Sequence, residues 1–287
     1  MNESLLPSIF KKPDVLKKAT GKMRSVLAQV KGIIRRQAMV TMIKGPLYLR
    51  NSKRIEIDIT SVCNMRCVNC NRSCAQAPAE ERMTIAQIKK FIDESIHAKS
   101  RWDSIMVIGG EPTLHPDLRA ILHMLVVYKK TFFPAADIIL ATNGSGSRVN
   151  EVLQEIPPDV VLRNTKKNVR AYEHYNFNNA PCDSIRYKYL DFENGCLMAS
   201  HCGTGLTLYG YYTCPIAGLG IDRIFGFDMG RKELPAPDDQ MLEQRRTLCR
   251  LCGHYRDWVL THETIISPTW VRAYENYQIR KPELTAY

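Results

Sequence analysis

Four short apolar runs alternate with helix-like stretches between residues 55 and 162, and this alternation constrains the fold more than any other feature. Ile55–Ile59, Ser104–Ile108, Ile138–Ala141 and Val160–Leu162 read as strands one to four. Helices are expected between them: from the capping box Thr84-x-x-Gln87 to His97, over Pro116–Tyr128, and over Val149–Ile156. Strands joined by helical crossovers lie parallel, because each crossover returns the chain to the same end of the sheet. The expected class is α/β, a partial (β/α)6 TIM-like barrel with its chemistry at the carboxyl ends of the strands. A fifth strand is expected around Ile185–Leu190, and no sixth is placed.

Just past strand one stand three cysteines, Cys63-x-x-x-Cys67-x-x-Cys70. Thiolates on one short loop are soft ligands suited to three irons of a [4Fe–4S] cubane, leaving the fourth iron open to a small molecule. The spacing is neither the ferredoxin run nor the paired Cys-x-x-Cys of a zinc ribbon. After strand two comes Gly109-Gly110-Glu111-Pro112, after strand three Thr142-Asn143-Gly144, and after strand four Arg163-Asn164.

The cysteine spacing, followed at this distance by Gly-Gly-Glu-Pro, resembles the radical S-adenosylmethionine (SAM) superfamily. The resemblance implies that Cys63, Cys67 and Cys70 hold a [4Fe–4S] cluster and that SAM chelates its open iron. Reductive cleavage of SAM then yields a 5′-deoxyadenosyl radical that takes a substrate hydrogen. It also assigns Gly109, Gly110, Glu111 and Pro112 to the methionyl amine, and Thr142 and Asn143 to the ribose and methionine. Arg163 is a candidate for the SAM carboxylate or the substrate, with plain surface placement as the alternative. One position departs from the family: the aromatic residue usual before the third cysteine is Asn69 here, so stacking on adenine is not expected from it. His115 reads as a helix-start residue.

A second constellation, Cys202, Cys214, Cys249 and Cys252, lies further on. Leu206–Leu208 and Tyr211–Thr213 read as a hairpin about Tyr209-Gly210, and reflecting Cys214 through that turn lands nearer Cys202 than Cys196. Cys202 is therefore preferred, with Cys196 as the alternative. The pattern resembles the shortened auxiliary-cluster domain called twitch, related to the SPASM extension, which implies a second [4Fe–4S] cluster. Four cysteines also suit a structural zinc site. Cys74 and Cys182 read as small buried residues, and His201 and His254 as donors to neighbouring cysteine ligands.

The 287 residues divide into a basic helical extension (1–53), the barrel (54–195), a cysteine-rich β-hairpin domain (196–257) and a tail (258–287). The net charge of +11 resides entirely in residues 1–54, which hold 13 Lys/Arg and 2 acids; the remainder is balanced. A nucleic-acid partner is therefore not expected. Apolar residues recur at helical spacing from Val15 to Ile43 among lysines and arginines, so this helix is a candidate for contact with an anionic membrane or an acidic partner, or docks on its own domain. Ten cysteines without a secretory signal or membrane span fit a reducing cytoplasm, with peripheral membrane association left open.

The function expected from the resemblance is a radical SAM oxidoreductase that removes two electrons from a sugar-like or polyol small molecule. An electron donor such as flavodoxin or ferredoxin would supply it. Epimerisation or peptide modification are alternatives within the class. A metal-binding interaction protein with structural zinc or iron–sulfur sites is the alternative outside it.

Overall fold

The computed structural model describes residues 30–67, 69–77, 81–167, 174–256 and 265–287, with Leu27, Leu260 and Thr261. Helical residues 30–35 and α1 (Ala38–Lys44) precede β1 (Arg54–Thr60). Then follow α2 (Ile85–His97), β2 (Ser104–Gly109), α3 (Leu118–Phe132), β3 (Asp137–Thr142), α4 (Ser147–Leu153) and β4 (Val160–Asn164). The expected capping box opens α2: Thr84 Oγ1 accepts from the Gln87 amide while the Gln87 side chain accepts from the Thr84 amide.

β1 to β4 are parallel neighbours, with Ile55 beside Ile105, Ile105 beside Ile138, and Ile138 beside Val160. Strand alternation sends Ile55, Ile57 and Ile59 to one face, where they bury against Phe91, Trp102, Ile121 and Leu125 of the helical layer. The same alternation sends Glu56 and Asp58 to the opposite, concave face. That face positions the site.

The barrel pattern departs from expectation after β4. Ile185–Leu190 is not a strand; it holds a single 3-10 turn (Ile185–Tyr187) and an isolated bridge from Leu190 to Gln37. Beyond the two-residue β5 (His174–Tyr175), the chain crosses the molecule through α5 (Leu197–His201). It then lays β6 (Thr204–Thr207) parallel to β1, and β7 (Gly210–Tyr212) returns antiparallel to it. The six-stranded sheet therefore runs β4-β3-β2-β1-β6-β7. Strands five and six come from the cysteine-rich region, which is continuous with the barrel sheet. A short β8 (Leu260–Thr261) pairs only with β5.

The C-terminal stretch is not a loose tail. α6 (Pro268–Ile279) drives Trp270 into a second core with Phe177, Leu248, Leu251 and Ile221, and Trp270 Nε1 donates to the Leu251 carbonyl at 2.7 Å. Tyr287 donates its amide to Leu208 O and its hydroxyl to Glu94. The basic helix expected over 15–43 lies partly outside the described residues. Within them it breaks at Arg36–Gln37, where Gln37 makes the bridge to Leu190.

Candidate active site and thiol clusters

Cys63, Cys67 and Cys70 line one cavity of about 110 Å³ at the carboxyl ends of β1 to β3, together with Gly109, Gly110, Thr142 and Asn143. The sequence-predicted residues are thus brought together, apart from Glu111 and Pro112, which lie behind the cavity wall. The two glycines serve a close approach of two backbones. Gly109 has φ +136, and a Cβ there would drive into the Thr60 carbonyl; one at Gly110 would strike the Val62 carbonyl. The bare backbone lets Gly110 N donate to Thr60 O at 2.7 Å and Glu111 N to Val62 O at 2.8 Å. The end of β2 is thereby stapled to the residues immediately before Cys63.

Glu111 is wholly buried. Its Oε1 accepts from Thr113 N, Thr113 Oγ1 and Thr142 Oγ1, and its Oε2 from Asn143 N at 2.8 Å. One carboxylate therefore ties the exit of β2 to the exit of β3 through charge-assisted bonds. Asn143 Nδ2 in turn donates to Asn64 Oδ1 at 2.8 Å and lies 4.0 Å from Cys63 Sγ. The turns after β2 and β3 are thus both used to fix the cysteine loop.

Asn69 and Arg163 each have a definite place in the fold. Asn69 sits in the left-handed region (φ 51) and donates to Asn176 Oδ1 at 3.1 Å, so its side chain packs away from an adenine-stacking role. Arg163 lines a separate cavity rather than the cysteine one, although its strand neighbour Ala141 lines the latter; Thr165 and Lys167, further along the chain, line the cysteine cavity instead.

The three thiols differ. A hydrogen bond from Cys74 brings Cys70 down to about 5, against burial and helped by backbone amides and Arg72. Burial pushes Cys63 up to about 11 and also raises Cys67. In metal-free protein the hydrogen bond between Cys70 and Cys74 makes Cys70 the most readily ionised of the three loop cysteines. Iodoacetamide is expected to label Cys70 before Cys63, and acidification through about pH 5 to suppress the Cys70 reaction by protonating it. Peptide mass spectrometry after timed quenching measures both.

The second thiol group is Cys196, Cys214, Cys249 and Cys252. Burial is the first cause of each raised thiol, and the neighbouring sulfurs add to it: Cys214 acts on Cys196, which reaches about 12, and both act on Cys249 and Cys252. Cys202 has a different main partner. Its thiol is raised by burial, then by the charge of Glu56 and a hydrogen bond to it, with a smaller contribution from Cys214. The observed register pairs Thr207 with Gly210, so the turn is Leu208–Tyr209, one residue earlier than expected. Register governs backbone proximity but not side-chain direction. Cys196 and Cys202 occupy opposite ends of α5; Cys214 acts on both thiols, as the foremost charged neighbour of Cys196 and as the weaker one of Cys202, behind Glu56 and Arg72.

Arg245 was not singled out by sequence. Buried beside these thiols, it donates to Thr213 Oγ1, the Tyr48 carbonyl and Gln240 Oε1. Burial lowers its pKa while Cys249, Cys214 and Cys196 raise it, so a fixed cation faces the sulfurs. Among the described residues no three His, Cys, Asp or Glu side chains converge as on a single metal ion. A cubane spreads its ligand sulfurs over separate irons. The donor sets of both thiol groups suit such clusters in number and type.

Between the thiol groups, on the concave face, Arg72 is buried and donates to Glu56 Oε2 at 2.8 Å and Asp58 Oδ1 at 3.3 Å. Burial opposes the guanidinium charge, but Asp58 and Glu56 outweigh it and hold Arg72 protonated. Burial pushes Asp58 up to about 7 against the pull of Arg72, and Asp58 Oδ2 is buried without a hydrogen-bond partner. Arg72 lines the cysteine cavity, and Glu56 lines a second cavity of about 270 Å³ with Arg54, Arg163 and His201. His254, buried and pushed down to about 4 by burial and by Arg72, completes this region as a neutral imidazole.

Residues 57–162 match the model of the Radical SAM superfamily. The chain is 31% identical over 134 residues to GTP 3′,8-cyclase of Nautilia profundicola, covering 40% of this chain and 39% of that protein. It is 29% identical over 136 residues to the probable GTP 3′,8-cyclase of Methanococcus aeolicus, covering 43% and 44%. The chain thus spans about two fifths of the length of these curated relatives. Among solved structures, BtrN in complex with AdoMet and 2-DOIA matches with TM-score 0.43 at 16% identity, over 74% of this chain and 96% of that one. Streptococcus suis SuiB bound to S-adenosylmethionine matches with TM-score 0.27 at 18% identity, over 52% of this chain and 34% of that one.

Proposed function

We propose that this chain, a radical SAM enzyme by its domain over residues 57–162, removes two electrons from a sugar-like or polyol small molecule. The observation that carries the proposal is the set of four mutually interacting thiols, Cys196, Cys214 and Cys252, which are buried, and Cys249, which is partly so. Four protein ligands fill every corner of a cubane, which suits an electron acceptor and not a substrate-binding iron. When bound, the cluster at Cys63, Cys67 and Cys70 and its SAM supply reductive cleavage and a hydrogen-abstracting adenosyl radical.

The chain's own residues do the remainder. Gly109, Gly110 and Glu111 hold the cysteine loop in place, and Asn143 braces it from β3. Lys167 places a cation on the cavity wall, suited to the SAM carboxylate, and Thr165, whose hydroxyl donates to the Thr142 carbonyl at 2.9 Å, ties that segment to β3. Arg72 on the cysteine cavity, and Glu56 and His201 on the cavity beside it, offer polar groups suited to a substrate presenting hydroxyls. Cys196, Cys214, Cys249 and Cys252 would hold a cluster able to take up the electron left when the substrate has lost a hydrogen atom and a proton, and a flavodoxin or ferredoxin would supply the electron for SAM cleavage.

A second reading, cyclisation of a purine nucleotide, is favoured by the relatives named GTP 3′,8-cyclase. Anaerobic incubation of the reconstituted protein with SAM, a strong reductant and either deuterated aminocyclitols and polyols or deuterated GTP separates the two. Deuterium entering 5′-deoxyadenosine from a polyol, with a carbonyl product, is the expected result. Transfer from GTP with no net oxidation would replace the first reading by the second.

A further inference from the structure

Helices on protein surfaces normally turn their apolar stripe inward, and the segment leading into the barrel does the reverse. It is fastened to the body by polar side chains. Arg35 donates to the Gly45 carbonyl and Asn194 Oδ1, and Arg36 lies over the Tyr255 ring and donates to its carbonyl. Thr41, the buried residue of α1, accepts from Asn194 Nδ2 at 2.7 Å. The outward face carries the apolar side chains instead: Met39 is 73% exposed, Met42 80% and Ile43 76%, with Val30, Ile33, Ile34 and Leu49 also in solvent.

The segment itself carries charge of one sign. Residues 27–55 contain seven Lys/Arg and no Asp or Glu. Two of the cations, Lys31 and Lys44, are exposed beside the apolar side chains, while Asp191 and Glu193, acids close by in the fold, belong to the element on which the segment docks. An outward apolar face with exposed cations beside it matches a surface that is apolar below and anionic above, namely the headgroup and acyl boundary of a membrane with acidic lipids. A protein partner of acidic character would answer the charge. It would not by itself require three neighbouring large apolar residues to protrude from a helix whose polar side is the docked one.

We propose that residues 30–49 seat the enzyme on an anionic lipid surface, with Met39, Met42 and Ile43 entering the headgroup boundary and Lys31 and Lys44 meeting lipid phosphates. Two signals act together, as stable peripheral attachment requires: apolar insertion and electrostatic attraction. The inference is independent of the substrate and of cluster loading.

The test is anaerobic co-sedimentation of the full-length chain with vesicles of phosphatidylcholine alone, or of phosphatidylcholine mixed equally with phosphatidylglycerol. Binding to the mixed vesicles that falls as salt rises is expected, with little binding to phosphatidylcholine alone. Met42→Asp with Ile43→Asp should weaken binding by at least about tenfold, and Lys31→Glu with Lys44→Glu should weaken it comparably. All four side chains are exposed, so thermal unfolding of the variants should match the parent. Absence of binding to the anionic vesicles, equal binding to both vesicle types, or binding untouched by the aspartate pair would overturn the proposal. So would an acidic protein that competes for the face while vesicles do not bind.

Discussion

Replacing Cys196 with Ala is expected to halve the iron of the reconstituted protein, from about eight to about four per chain as for two cubanes, while Cys202→Ala leaves it unchanged. The difference follows from where α5 sends its two ends. Cys196 faces Cys214 and, with it, acts on Cys249 and Cys252, whereas the Cys202 thiol is spent on Glu56. The activity split should be equally plain. Cys67→Ala removes a ligand of the first set and should abolish 5′-deoxyadenosine formation. Cys196→Ala should still cleave SAM but yield no oxidised product, because the electron leaving the substrate then has no acceptor. Iron and sulfide analysis, with chromatography of deoxyadenosine and product, measures all three variants. Should Cys202→Ala lose the iron and Cys196→Ala keep it, the side-chain directions at α5 are misread. Should Cys67→Ala still release deoxyadenosine, the first set does not hold the SAM-cleaving cluster.

The parallel sheet and the first site were legible in the sequence because both are local. Alternation in Ile55, Ile57 and Ile59 fixes a strand by itself, and Thr84 and Gln87 cap a helix through contacts three residues apart. The cysteine loop was legible for the same reason, since its three ligands lie within eight residues. What failed was long-range. Nothing in Ile185–Leu190 says that β6 will reach β1 first, because sheet order depends on the path taken by the intervening chain. The preference for Cys202 over Cys196 rests on hairpin reflection, which orders backbones and is silent about which way a helix end points its thiol, so the iron contents of the two variants decide it. Arg245 gave no signal at all, since its value lies in facing sulfurs that are remote in sequence.

One missed feature was readable. Glu56 and Asp58 occupy the alternate positions of a strand whose other face is isoleucine, so two carboxylates had to share the concave face. Two buried acids on one face require a cation. The sequence supplies it at Arg72, just past the third cysteine, although only the folded loop carries it there.

Arg72→Met is accordingly expected to destabilise the protein by about 3–5 kcal/mol, the range for stripping one partner from a buried ion set. The loss has two parts. Glu56 and Asp58 would share a dry face with no cation, and the Arg72 side chain would no longer wall the cysteine cavity. The backbone carbonyl of Arg72, which accepts from buried Arg223, survives the substitution, so the defect is confined to the side chain. Asp58 decides the pH behaviour. In the parent its raised pKa of about 7 means that the folded state binds a proton that the unfolded chain has released between about pH 4 and 7. Stability from this group is therefore full below about pH 4 and is lost as pH rises through about 7. Without Arg72 the pull that lowers Asp58 is gone, so its folded pKa climbs and the loss extends to higher pH. Adding Asp58→Asn and Glu56→Gln to Arg72→Met removes the uncompensated charge and should recover most of the stability, which urea unfolding across pH would measure. If Arg72→Met unfolds at the parental midpoint at alkaline pH, the three side chains do not form the ion set that separates the two cavities.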